Sequence, residues 1–154
     1  MTPEEELRFL ILGAQREGNR VLASLLAPLE VTPSQAEVLR CLADAGSLSL
    51  NALGRRLVCE TGSPSRLVST MVDKGWVYRR EDPNDRRQVL LVLTAAGEIL
   101  EKQVRQVEEQ LHGWIGSQLD SGTIKSLSEG LHRLLADSIA GNAVRERTGR
   151  NVSP

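Results

Sequence analysis

The sequence holds few aromatic residues, few cysteines and no long apolar run, and each absence narrows what the chain can be. Phe, Trp and Tyr together make up 3% of the 154 residues, so aliphatic side chains must build the core. No apolar stretch approaches the roughly 18 residues that a membrane-spanning helix needs. The N-terminus also lacks the pattern of a secretory signal. We therefore expect a cytoplasmic protein with no membrane partner, folded as one domain.

Residues with metal-binding or catalytic chemistry are scattered along the sequence rather than grouped. Cys41 and Cys59 form no CxxC pair, and neither stands at a metal-ligand spacing from His112 or His132. The sequence contains no nucleophile elbow and no glycine-rich phosphate loop. It thus predicts no cofactor, no metal site and no enzymatic activity.

Charge is distributed unevenly, although the net charge is only −1. Residues 54–87 carry eight basic and five acidic side chains, a local balance of +3, which leaves −4 for the remaining chain. A basic face on an acidic body suits a protein that contacts phosphate on one side only. A mixed, solvated surface explains so small an asymmetry equally well. The order of elements along the chain must therefore decide between a phosphate-contacting face and an ordinary solvated surface.

The first two helices are predicted to begin with the same N-terminal capping pattern. The segments Thr2-Pro3-Glu4-Glu5 and Thr32-Pro33-Ser34-Gln35 each offer a capping hydroxyl, a proline at the first helical position and a side chain that closes a capping box. Apolar residues then recur at helical spacing in both. These patterns predict a helix over about residues 2–26 and a second one that ends near Gly46.

A tight turn at residues 59–61 separates two short helical patterns, the first capped by Ser49 and the second carrying Pro64 in its first turn. Apolar residues of the second helix recur at core spacing, so small hydroxyl residues and one arginine face solvent. Small residues let a helix enter a DNA groove deeply, and arginine can read guanine. A plain solvated face is the alternative. The residues expected to contact DNA are Thr61, Ser63, Ser65, Arg66 and Ser69.

A basic β-hairpin follows this helix-turn-helix pattern directly. Its strands begin near Trp76 and Val89, and residues 82–85 (DPND) have strong turn chemistry. Arginines at a hairpin tip can enter the narrow minor groove and contact phosphates, although a basic hairpin alone more often protects a sheet edge. Its position after a helix-turn-helix favours DNA. The expected contacts are Arg80, Asp85, Arg86 and Arg87.

Long apolar helices are predicted after the hairpin. Thr94 is expected to cap one that runs to about residue 119, and a last helix is expected over about residues 121–139. The small helix-hairpin lobe cannot cover so much apolar surface, so the first helix and the last two are predicted to pair with a second copy. An intramolecular bundle is the alternative. Residues 143–154 lack apolar periodicity and are predicted to form a flexible tail.

The order of these parts, and the residues within them, resemble the MarR family of bacterial winged-helix transcription regulators over about residues 5–140. The segments that carry the resemblance are TPSQAEVLRCL, SLNALGRRL, SRLVSTMVDKGWVYR and DPNDRRQVLLVLTAAG. The last is the most specific, because the family has an Asp-Xaa-Arg in the wing followed by alternating apolar residues and Leu-Thr. Here these are Asp85-Arg86-Arg87 and Leu93-Thr94.

This resemblance implies a mainly α fold with a small β-hairpin wing, as one domain over residues 1–142. The winged helix-turn-helix lobe would span about 32–94, and the N- and C-terminal dimerisation helices about 2–27 and 94–142. The implied function is a homodimeric repressor that binds a pseudo-palindromic operator in double-stranded DNA. Many relatives release DNA when they bind a small aromatic or phenolic effector.

The resemblance also implies roles for single residues. Arg66 takes the place of the family's base-reading arginine and Arg87 that of its wing-tip arginine, while Asp85 would orient the wing arginines by a charge-assisted hydrogen bond. Two alternatives stay open. The winged helix could serve as a protein-protein interaction module, or the chain could be a thiol-based redox-responsive regulator that acts through Cys59.

Overall fold

The structure is a computed structural model that describes residues 1–59 and 62–149. Within these ranges the chain is mainly helical, with a short 3-10 helix (Ala27–Leu29) after the first helix and three short strands. None of the described helices is long and apolar enough to cross a membrane. The elements are α1 (Pro3–Leu26), α2 (Pro33–Ala45), β1 (Leu48–Ser49), α3 (Leu50–Gly54), α4 (Pro64–Asp73), β2 (Val77–Glu81), β3 (Val89–Leu93), α5 (Ala95–Gln118), α6 (Ser121–Leu134) and α7 (Ile139–Thr148).

The predicted starts of the first two helices are confirmed. Thr2 and Glu5 each accept a hydrogen bond from the other's main-chain N–H, at 3.3 and 2.9 Å, and Thr32 and Gln35 repeat the pattern at 3.2 and 3.0 Å. Such a capping box satisfies N–H groups that the helix itself leaves without partners. α2 ends at Gly46, whose φ of 75° is a conformation that glycine adopts without strain.

The three strands form one antiparallel sheet in the order β1-β3-β2. The β2–β3 hairpin is the predicted wing, with Val77 opposite Leu93 at its base and Glu81 opposite Val89 toward its tip. β1 pairs with the other edge of β3, where Leu48 lies opposite Leu91. β1 was not predicted, because two residues are too few to show alternation. This strand fixes the start of α3 against the wing.

The core is aliphatic, as the low aromatic content requires, and lies between α2, the two short helices, the sheet and the first half of α5. Its fully buried large side chains come from all of these elements and from the end of α1: Leu26, Val38, Leu39, Leu42, Leu53, Val68, Met71, Val77 and Val104. Burial of this kind stabilises by about 25 cal/mol per Å² of apolar surface. The helix-hairpin lobe therefore has its own continuous core. The observed architecture confirms the predicted fold class.

α5 is attached to the base of the wing by close main-chain contacts. Thr94 caps the helix by accepting the N–H of Gly97 at 3.0 Å, its hydroxyl donates to the carbonyl of Gly75 at 2.6 Å, and its N–H donates to the carbonyl of Trp76 at 3.0 Å. A Cβ at Gly97 would lie 2.1 Å from the Trp76 oxygen, so only glycine fits there. The wing and α5 therefore form one unit.

One prediction about the C-terminal region is wrong, while the flexibility of residues 143–154 stays a prediction. The last predicted helix does not continue to Ile139 but ends at Leu134, and a separate helix covers Ile139–Thr148. The physical reason lies at Ser138, which caps α7 by accepting the N–H of Gly141 at 3.0 Å. Gly141 also packs so closely on the Leu135 carbonyl that an added Cβ would lie 1.9 Å from its oxygen. Residues 150–154 lie outside the described part of the chain.

The short helix before the turn is also shorter than its apolar pattern predicts. Leu57 and Val58 were expected in the helix capped by Ser49, but α3 ends at Gly54. Ser49 does cap it, accepting the N–H of Ala52 at 3.2 Å. The segment after Gly54 is instead held by Glu37 on α2, whose carboxylate accepts the main-chain N–H groups of Val58 and Cys59.

Candidate nucleic-acid interface

α4 has a buried face and an exposed face, as its sequence predicts. Val68 and Met71 point into the core, while Ser65 and Arg66 are exposed. Ser63 occupies the N-cap position, and within the described residues its side chain forms no capping hydrogen bond. Ser69 is half-buried. The exposed side thus presents hydroxyls around one guanidinium group.

A hydrogen bond joins α4 to the wing. Nη2 of Arg79 on β2 donates to the hydroxyl of Ser69 at 3.1 Å. Beside this contact lies a cavity of about 170 Å³ between the helix and the sheet. It is lined by Leu50, Ser65, Val68, Arg79, Val89 and Leu91. Arg79 was not among the predicted site residues, although nothing in the hairpin sequence distinguishes it from the neighbouring arginines that were.

The wing turn is shaped by two aspartates. Asp82 accepts the N–H of Asn84 at 2.8 Å, and Asp85 accepts the N–H of Arg87 at 3.0 Å. Main-chain hydrogen bonds between Asp82 and Gln88 and between Gln88 and Asp85 close the loop. Asp85 thus holds the main chain of Arg87 and so sets where its side chain begins, while its predicted role in orienting the wing arginines stays a prediction.

The predicted arginines are exposed and carry no counter-charge. In the described ranges, ion pairs form at Arg20, Arg40, Arg56, Arg105 and Arg147, but none forms at Arg66, Arg80, Arg86 or Arg87. The fold therefore places four unpaired guanidinium groups on α4 and the adjoining wing. Thr61, the remaining predicted contact, lies outside the described residues. The roles of all these residues stay predictions.

A carboxylate that the sequence did not single out holds the segment leading into α4. Glu37 on α2 is buried, and its two oxygens accept the N–H groups of Val58 and Cys59, each at 2.8 Å. Glu37 sits among apolar residues of an amphipathic helix. No local signal marks it, because its partners lie 21 and 22 residues away.

The two cysteines lie beside this carboxylate and differ in exposure. Cys41 is buried and Cys59 is exposed. Desolvation of the Cys59 thiol, followed by the negative charge of Glu37, raises its pKa to about 11. Because the thiolate is the reactive form, this environment disfavours oxidation at neutral pH. Among the described residues no group of three or more His, Cys, Asp or Glu could hold a metal ion.

Known proteins with similar sequences are transcription regulators. The sequence model of the MarR family matches residues 31–89. The multiple antibiotic resistance protein MarR of Escherichia coli strain K12 is 32% identical over 127 residues, which cover 82% of this chain and 88% of that protein. The organic hydroperoxide resistance transcriptional regulator of Bacillus subtilis strain 168 is 27% identical over 135 residues, 88% of this chain and 90% of that protein.

Solved structures agree with this assignment. A mutant of Escherichia coli MarR in complex with operator DNA superposes with a TM-score of 0.76 at 31% identity, covering 84% of this chain and 94% of that one. The organohalide-sensing regulator RdhR in its 2,4-dichlorophenol-bound form shares the fold, with a TM-score of 0.78 at 20% identity over 90% and 83% of the two chains. On the combined sequence and structural match, this chain belongs to the MarR family of winged-helix, DNA-binding transcription regulators.

Proposed function

We propose that the protein is a homodimeric repressor that binds a pseudo-palindromic operator, with α4 in the major groove and the wing over the adjacent minor groove. The observation that carries the proposal is the set of four unpaired, exposed arginines on α4 and the wing. Elsewhere in the described chain, several arginines are matched with carboxylates. A guanidinium group without a protein counter-charge is available to phosphates and base edges.

Arg66 is the residue proposed to read a base. It lies in the first turn of α4, on the side opposite to the buried Val68 and Met71. Recognition helices contact base edges mainly through their N-terminal residues, and an arginine fork pairs with guanine O6 and N7. Ser63 and Ser65 beside it are short enough to let the helix approach, and they are proposed to contact phosphates or base edges.

The wing is proposed to contact the DNA backbone and the minor groove. Arg86 and Arg87 lie at its tip, and Arg80 lies on β2 toward that end. The hydrogen bond that the main-chain N–H of Arg87 donates to Asp85 supports this role, because a fixed tip loses less conformational freedom on binding. The narrow minor groove has an enhanced negative potential that attracts arginine.

Dimer formation is proposed through α1, α5 and α6. A wide apolar surface on these helices is exposed, with Leu10 at 61%, Trp114 at 51% and Leu134 at 63% of their full accessibility. Exposed apolar surface of this extent marks an interaction site. A second copy would cover it symmetrically and would present two α4 helices to one duplex, about 34–36 Å apart in successive major grooves.

A small aromatic or phenolic effector is proposed to bind the cavity between α4 and the wing. Its walls are largely apolar, and the Arg79 guanidinium and Ser65 supply polar groups. The 2,4-dichlorophenol-bound form of the related fold supports this class of ligand. An effector displaces DNA only if it binds the DNA-incompetent arrangement more tightly.

The proposal is tested by footprinting on fragments of the source genome. The expected result is a protected site with two-fold related halves about one helical turn apart, bound with an affinity that falls steeply as salt rises. Light scattering should give the mass of a dimer, and Leu131→Asp in α6 should reduce both the mass and the DNA affinity. Protection of a single, asymmetric half-site by a monomer would contradict the proposed homodimer. An absence of salt-sensitive binding would instead favour a protein-interaction module.

A separate titration tests the effector. Benzoate and phenol are suitable probes, because both are aromatic and only one is anionic. Either should weaken DNA binding in proportion to its affinity for the free protein, and Leu91→Trp, which fills the cavity, should remove the effect while the protein still binds DNA. Equal sensitivity of wild type and Leu91→Trp would place the effector elsewhere.

A further inference from the structure

One buried carboxylate joins three distant parts of the chain. Glu37 on α2 is 3% exposed, and its Oε1 accepts the N–H of Val58 at 2.8 Å and Nη1 of Arg147 at 2.6 Å. Its Oε2 accepts the N–H of Cys59 at 2.8 Å. A buried carboxylate is costly unless hydrogen bonds and a counter-charge satisfy it. Three donors do so here, and Arg147 supplies the charge.

The two main-chain donors occupy a critical position. Val58 and Cys59 follow α3, which ends at Gly54, and precede α4, which begins at Pro64. Two adjacent N–H groups bound to the two oxygens of one carboxylate fix both the place and the direction of the main chain. Glu37 therefore determines how the chain approaches α4.

The third donor comes from the C-terminal helix. Arg147 lies in the last turn of α7, 110 residues from Glu37. The neighbouring residue makes a second link to the same region, because Oε2 of Glu146 lies 3.6 Å from Nη2 of Arg56 in the segment after α3. α7 thus forms two ion pairs in this region, one with Glu37 on α2 and one with Arg56 in the segment after α3.

The contacts of α7 are polar more than apolar. Gly141 and Ala143 are its buried residues, and neither belongs to the main aliphatic core, which ends along the chain at Val104. Little apolar surface is removed from water by this helix, so it contributes little to the bulk stability of the lobe. Its ion pairs instead fix the position of α7 relative to α2 and to the segment after α3, because a charge that is partly removed from water has a strong preference for one geometry.

We propose that α7 is a positioning element for the DNA-reading helix: Arg147 holds Glu37, and Glu37 holds the segment that leads into α4. The inference rests on the proposed role of α4 in reading DNA. When Arg147 is lost, Glu37 retains its main-chain partners but no longer has its counter-charge, and the segment samples other positions. DNA affinity then falls by the factor by which the binding-competent position of α4 is depopulated.

The first experiment measures DNA affinity and unfolding for Arg147→Met, which keeps an unbranched stem and removes the donors. Affinity should fall about three- to tenfold. The midpoint of urea unfolding should fall as well, because the buried Glu37 carboxylate loses its counter-charge, but the protein should remain folded in the binding buffer. Arg147→Lys should recover part of the affinity, because an ammonium group can still donate to Glu37. Arg145→Met removes the same charge from the same helix, yet Arg145 donates to the Ala136 carbonyl and not to Glu37. It should change affinity by about twofold or less.

The second experiment needs no DNA. Amide hydrogen exchange at Val58 and Cys59 should be faster in Arg147→Met than in wild type or Arg145→Met, and it should increase more at these two amides than within β2 and β3. Unchanged exchange at these two amides would overturn the proposal. An increase of the same size throughout the lobe would overturn it as well, since it would indicate general destabilisation alone.

The two proposals fail separately. If wild type binds no DNA, the proposed operator function is wrong, and the exchange measurement still decides whether α7 holds the approach to α4. If wild type binds DNA and Arg66→Ala weakens binding while Arg147→Met does not, the operator function stands and the positioning role of α7 is wrong.

Discussion

The exposed arginines of α4 and the wing differ in environment from the buried Arg40, and the contrast indicates what each does. On α4 and the wing, Arg66 and Arg87 are exposed and lack a carboxylate partner among the described residues. Between α2 and α5, Arg40 lies 2.6 Å from Glu101 and 3.0 Å from Glu108 and is largely buried. The same residue type thus stabilises the fold in one region and stays available for a ligand in the other.

Removing a paired arginine should have the largest effect, and it should act on the fold. Arg40→Met leaves the carboxylates of Glu101 and Glu108 partly buried without their shared counter-charge. Arg105 also donates to Glu101, at 2.8 Å, so compensation is partial. The free energy of unfolding should fall by about 3 kcal/mol, as measured by urea denaturation followed by circular dichroism. An unchanged unfolding curve would mean that water solvates Arg40, Glu101 and Glu108. The arginines of the two regions would then not differ in what they contribute to stability.

Removing the unpaired arginine of α4 should leave the fold intact and affect binding. Arg66→Ala should cost about 1–3 kcal/mol of binding free energy on the operator and relax the preference at one base pair. The measurement is a mobility shift on the footprinted site and on single-base variants of it. Equal losses on every sequence would assign Arg66 to a phosphate rather than to a base.

The wing arginine should show a weaker and less specific effect. Arg87→Ala removes a side chain proposed to lie in the minor groove or on phosphates, so binding should weaken evenly across sequences. The slope of log affinity against log salt concentration should fall by about one. A salt slope equal to that of wild type would place the Arg87 guanidinium away from DNA.

A paired but largely exposed arginine should show the smallest effect and serves as the control for both regions. Arg20 forms an ion pair with Glu17 on α1, and both side chains are more than half exposed. Exposed pairs contribute little because water and salt screen them. Arg20→Ala should therefore change neither urea unfolding nor DNA affinity measurably. A loss of DNA affinity here would show that general charge, rather than the place of the arginine, controls binding.

Local sequence signals predicted the elements that local chemistry determines. The capping residues Thr2, Thr32 and Thr94 each mark a helix start where the structure has one. The hairpin turn at residues 82–88 follows from its aspartates and proline, because Asp side chains bond the nearby main chain. The fold class and the surface of α4 and the wing were predictable for this reason.

Features that depend on long-range contacts were not predictable. The hydrogen bond between Arg40 and Glu101 spans 61 residues and that between Glu37 and Arg147 spans 110, so no local pattern separates these arginines from the exposed ones. α7 was missed because it buries little apolar surface and therefore lacks the periodicity used to predict helices. Ser138, its capping residue, was the available signal.

The exposed arginines of α4 and the wing are proposed to bind DNA, while the buried Arg40 stabilises the fold. The most direct test is a mobility-shift titration of the double variant Arg66→Ala/Arg87→Ala beside Arg20→Ala, with urea unfolding measured on the same samples. We expect the double variant to unfold like wild type but to lose most of its operator affinity and part of its salt dependence. A double variant that unfolds like wild type and still binds the operator with wild-type affinity would contradict this proposal.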